Sequence, residues 1–108
     1  MNIEEIVFEI ILHGGNARAL AYDALNAAEK GDFQQAKIHL KEAEEEIGLA
    51  HRIQTALIQK EAGGEKTEVS LLFVHAQDHL MTAISEKDLI IRMIKLYERL
   101  AKVEERGK

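Results

Sequence analysis

No proline occurs anywhere in the 108 residues, and the seven glycines fall at only a few places. A chain with so few breakers favours long helices, and its apolar residues recur at helical spacing. In the first segment Ile3, Ile6, Val7, Ile10 and Ile11 share a face, which resumes with Ala17, Leu20, Ala21, Ala24 and Ala28. Gly14-Gly15 interrupts it at a cost of roughly 1 kcal/mol each against alanine. The pair reads either as a tolerated kink or as close approach of the backbone to another helix or an anion. Gly31 is placed for a left-handed C-terminal cap, and Asp32 with Gln35 three residues on forms a capping-box pattern. The second segment has a 3-4-3-4 seam: Phe33, Ala36, Leu40, Ala43, Ile47, Ala50, then Leu57. Gln54 stands in that seam where an apolar residue belongs, with His51 and Thr55 beside it. It is either a satisfied structural amide or part of a site.

Glu61 to Lys66, containing Gly63-Gly64, ends the second helix, and Thr67 or Ser70 caps the third. That helix is expected from about Val69 to Val103, roughly 50 Å. Its expected buried face includes Phe73, Leu80, Ile84, Ile91 and Ile94. The charged tail from Lys102 to Lys108 is expected to fray. The fold class is all-α: an antiparallel up-down-up three-helix bundle forming a single domain over residues 1–108.

The side-chain inventory excludes several functions. Aromatics make up 5% of the chain against 46% hydrophobic residues, so the core must be aliphatic. A formal charge of −5 argues against nucleic acid and anionic membrane surfaces as partners. Without cysteine there is no disulfide, thiol nucleophile or Cys-type zinc site. Met1-Asn2-Ile3-Glu4-Glu5 lacks the basic start of a signal peptide, and no apolar run reaches membrane-spanning length. A soluble, cytoplasmic protein with no direct membrane insertion is expected.

The third helix carries the chemistry. His75, Asp78, His79, Thr82 and Glu86 follow i, i+3, i+4, i+7, i+11 and so form one polar stripe. Around them stand Leu71, Leu72, Phe73, Val74, Leu80 and Met81. Ionisable groups in such company are costly unless paired or used. The helix is apolar on both sides of the stripe, with Leu72, Ala76 and Ala83 on one flank and Leu71, Val74 and Met81 on the other. Two neighbouring helices cover only one broad face, so the surplus implies self-association around this helix. Three readings of the stripe stay open. It could be a satisfied polar network fixing oligomer register. His-x-x-Asp-His could ligate a metal, although no Glu-x-x-His motif supplies the usual partners. Or one imidazole could accept a phosphoryl group, with Asp78 orienting or neutralising His79. Serine triads, P-loops and dinucleotide fingerprints are absent.

The block Val69-Ser-Leu-Leu-Phe-Val-His75-Ala-Gln-Asp78-His79-Leu-Met-Thr82 closely resembles the signature of a known family. This is the enzyme IIA components of the lactose/cellobiose (diacetylchitobiose) class of the bacterial sugar phosphotransferase system. Gly15-Asn16-Ala17-Arg18 resembles the family's Gly-x-Ala-Arg, Gly31-Asp32-Phe33 its first interhelical turn, and Ala50-His51 with Gln54-Thr55 its second-helix pattern. Ala76, where lactose-type members often have glycine, leans towards the cellobiose/chitobiose branch. The resemblance implies homotrimers with the third helix innermost and a phosphotransferase activity in disaccharide uptake. His75 would be phosphorylated by the phosphohistidine carrier protein and would pass the group to a cysteine of the cognate IIB component. His79, Gln77 and Gln54 would support it. Asp78 would lie on the three-fold axis with a structural divalent cation, Mg2+ being expected. Three carboxylates meeting in a low-dielectric core need a counter-charge or protons, which agrees. The rival reading is a non-catalytic bundle whose stripe binds metal or sets register.

Overall fold

The computed structural model describes residues 2–108, which form α1 (Ile3–Glu29), α2 (Phe33–Ala62) and α3 (Leu71–Arg106). No strand occurs among the described residues. Short connections fold the helices back on one another into a rod 63 Å long and 20 Å across.

Local chemistry sets each start. The Asn2 side chain accepts a hydrogen bond from the Glu5 backbone N–H at 2.9 Å, and Glu4 and Glu5 complement the positive end of α1. Asp32 caps α2 by accepting from the Gln35 N–H at 3.1 Å. The capping box is only half made, because the Gln35 amide lies 3.1 Å from His39 Nε2 rather than returning to the cap. Ser70, not Thr67, caps α3, its hydroxyl oxygen accepting from the Phe73 N–H at 3.1 Å. Gly31 takes the left-handed conformation expected of it, with φ +82°. The third helix starts two residues later than expected and runs on through the charged tail to Arg106.

Alanines hold the helices together. Ala17, Ala21, Ala24 and Ala28 of α1, Ala36, Ala43 and Ala50 of α2, and Ala76 and Ala83 of α3 are all buried. Small residues let the backbones approach, so packing is tight although few large side chains take part. Ile6, Val7, Ile10, Leu57 and Leu80 fill one end of the rod, and Ile90 and Ile94 the other. Ile90 is buried whereas Ile91 is only half-buried, a correction to the expected face of α3. α1 packs against both other helices, while α2 and α3 touch each other sparsely.

The surplus apolar face is present but narrower than its sequence suggests. Ala76 and Ala83 are covered inside the chain. Leu71, Val74, Met81, Leu89, Leu96 and Val103 are not, and Leu71 is 86% exposed. These residues lie on the side of α3 away from α1, with Asp78 among them.

Candidate functional site

In its second and third turns, towards one end of the rod, α3 turns His75 and Asp78 to solvent and leaves His79 and Gln77 half-buried. The i, i+4 spacing sets the two imidazoles one above the other, with ring centroids 6.2 Å apart and planes 19° from parallel. Thr82, one turn on, donates its hydroxyl back to the Asp78 carbonyl at 2.9 Å, so it satisfies itself within the helix.

α2 supplies Gln54, whose Nε2 donates to Gln77 Oε1 at 2.8 Å. The Gln54 amide is thus satisfied, as the structural reading expects, and its partner lies on α3 outside the stripe, since residues two apart in a helix do not share a face. Because Gln77 accepts through its oxygen, its own NH2 group remains for another acceptor. His51 is exposed on α2 and makes no hydrogen bond to this pair.

α1 supplies the floor. A methyl group placed on Gly14 would lie 3.3 Å from His79 Cδ2 and 3.5 Å from the Leu80 Cα. One placed on Gly15 would lie 3.3 Å from His79 Nε2. The glycine pair therefore marks close approach of two helices, and α1 continues through it without a break. A turn further on, Arg18 Nε bonds Glu86 at 2.9 Å, and its guanidinium lies 5.7 Å from the Tyr22 ring centre. The bond and charge of Glu86 raise the Arg18 pKa above its ordinary value. In return, hydrogen bonds from Arg18 and then Tyr22 hold the Glu86 carboxyl below its usual range, with the charge of His79 adding to this. A lowered carboxyl pKa stabilises the fold above the ordinary carboxylate range, and that stabilisation is lost as pH falls through the lowered value. Chemical denaturation of Glu86→Gln beside the unmodified protein should show a small stability deficit at neutral pH that disappears on acidification.

Tyr22 is the one member of this array that the sequence reading passed over. Its signal was the i, i+4 spacing from Arg18. A second cluster, away from the stripe, was also passed over. His13 sits between Glu9 of its own helix, 2.9 Å from Nε2, and Glu46 of α2 at Nδ1, tying α1 to α2. The two carboxylates lie on opposite ring nitrogens, so no single ion could be held by all three residues.

No group of three or more metal-ligating side chains comes together in one chain among the described residues. Asp78 presents a single hard carboxylate oxygen donor on the exposed face, of the type that Mg2+ takes. A cation there would need carboxylates from further copies.

The geometry defines an all-helical protein that carries an imidazole pair on its surface rather than in a cleft. The model of the family described as the PTS system lactose/cellobiose-specific IIA subunit matches residues 5–98. A relative, the lichenan-specific phosphotransferase enzyme IIA component of Bacillus subtilis, is 54% identical over 97% of this chain and 94% of its own. The crystal structure of the PTS cellobiose-specific enzyme IIA from Bacillus anthracis superposes with a TM-score of 0.90 at 48% identity, covering 94% of each chain. The IIA(chitobiose) chain solved in complex with HPr, from the N,N'-diacetylchitobiose branch of the Escherichia coli phosphotransferase system, gives 0.82 at 44% identity, covering 94% of this chain and 98% of that one. The protein belongs to the lactose/cellobiose-specific IIA family of the phosphotransferase system. It is a phosphotransferase protein of the all-α type expected from its residues.

Proposed function

We propose that the protein is a phosphoryl carrier that accepts phosphate on His75 from the HPr-type phosphohistidine protein and passes it to a cysteine of a IIB component. The observation that carries this reading is the exposure of His75 at the top of a supported stripe. Its ring stands in solvent, where another protein can reach it, while the half-buried His79 ring stacks beneath it. That a IIA(chitobiose) relative forms a complex with HPr supports the same donor here.

In the first step a ring nitrogen of His75 attacks phosphorus on the donor. The new P–N bond forms as the donor's P–N bond breaks, and the donor imidazole leaves with the electron pair and takes a proton. In the second, the IIB thiolate attacks phosphorus, the S–P bond forms as the His75 P–N bond breaks, and the His75 imidazole leaves with the electron pair and takes a proton. Such transfers depend on in-line positioning and charge stabilisation more than on covalent help from the surroundings. No helix among the described residues is long and apolar enough to cross a membrane. Cytoplasmic operation beside a membrane transporter, in disaccharide uptake, is part of this proposal. Mixing the phosphorylated protein with purified IIB tests it. Label should move to IIB and should stay put when the IIB cysteine is replaced; retention in both cases would refute the onward step.

The same reading assigns the uncovered face of α3 to two further copies. Leu71, Val74, Met81, Leu89, Leu96 and Val103 would then form the seam of a homotrimer with α3 innermost, and Asp78 would meet its counterparts on the axis. Asp78 would hold a structural divalent cation there, which supplies the counter-charge that three carboxylates need. Asp78→Leu should keep or tighten the trimer and remove any dependence on chelators, read by light scattering with and without EDTA. Dissociation of this variant to monomers would count against the axial placement.

A further inference from the structure

We propose that Gly15, with Gly14, is a positioning residue for phosphoryl transfer, because bare backbone at these positions seats the His79 ring where it backs His75. The proposal rests on the reading of His75 given above. Both glycines lie inside a continuous helix, where alanine is favoured by propensity, so the pair weakens α1 by itself. What the pair makes room for is one side chain. The Cδ2–Nε2 edge of His79 lies along the two residues, 3.3 Å from where either methyl group would sit. Gly48 is the contrast. It too is inside a helix, yet a methyl group there would meet nothing within 4 Å.

A side chain at position 15 would meet only the outer end of His79, so the ring must give by a few tenths of an ångström. A ring pushed off α1 changes its stacking on the His75 ring, whose centroid lies 6.2 Å away. Gly14 is less suited to a test, because a methyl group there also meets the Leu80 backbone at 3.5 Å, in the core.

Gly15→Ala, Gly48→Ala, His79→Ala and the Gly15→Ala/His79→Ala double variant decide the matter, with three readouts. Thermal midpoints should be unchanged or raised in Gly15→Ala and raised in Gly48→Ala. The NMR signals of the His79 ring should move in Gly15→Ala, whereas those of His13, His39 and His51 should not. The rate of phosphate uptake from phosphorylated carrier should fall about three- to tenfold in Gly15→Ala and not in Gly48→Ala. In the His79→Ala background the Gly15→Ala change should have no further effect on the rate. An unchanged rate in Gly15→Ala, or an equal loss with and without His79, would overturn the proposal while leaving His75 as acceptor. Failure of the unmodified protein to take phosphate on His75 would overturn both.

Discussion

Replacing His75 with glutamine should reduce phosphate acceptance to background while the protein keeps its helical content and melting behaviour. Glutamine can reproduce the size and hydrogen bonding of the ring but offers no nucleophilic nitrogen, so loss of the reaction should be complete rather than graded. The fold should survive because His75 is exposed and bonds nothing across the bundle. Substitutions at such positions change stability by about 0.5 kcal/mol or less. Circular dichroism and incubation with labelled carrier, run on the same sample, separate the two quantities. His79→Gln is the informative neighbour. If His79 only backs the acceptor, its loss should slow labelling without abolishing it.

The largest effect on stability is expected from Leu80→Ala. Leu80 is fully buried, its backbone lies against Gly14 of α1, and it belongs to the cluster with Ile6, Val7, Ile10 and Leu57. Truncation leaves a cavity that cannot close easily, because α3 already lies against bare Gly14 and cannot move closer to fill it. Losses of about 2–5 kcal/mol are typical for such a change, against total stabilities of about 5–15 kcal/mol for a domain. With a urea dependence of about 1–3 kcal/mol per molar, the unfolding midpoint should drop by about 0.7 M or more. A shift too small to measure would mean that the α1–α3 contact contributes little. Leu71→Ala makes the comparison useful, since a residue 86% exposed in one chain can matter only if further copies cover it.

Much of this arrangement is legible in the residues because it is local. Ser70 and Asp32 announce helix starts through bonds made three residues away. The polar stripe follows from helical spacing alone. What was not legible depends on residues distant in the chain. Gln54 and Gln77 are 23 positions apart and Arg18 and Glu86 are 68 apart, so neither pairing leaves a periodic trace. Gly14-Gly15 allowed two readings until the third helix was in place, because a missing side chain does not say what occupies its space. The half-made capping box at Gln35 shows the same limit at short range, since His39, four residues on, takes up the amide. Ile90 and Ile91 are adjacent apolar residues, and packing with Ala21, Ala24 and Ala28 of α1 chose between them.

The most direct test of the central claim is to find where phosphate goes. The unmodified protein should be incubated with phosphoenolpyruvate, the phosphorylating kinase of the system and the carrier protein. Intact mass should then rise by one phosphate per chain, labile to acid and stable to alkali, and fragmentation should place it on His75. Phosphate on His79, His13, His39 or His51 instead, or no increase in mass while the carrier itself is fully phosphorylated, would contradict the account.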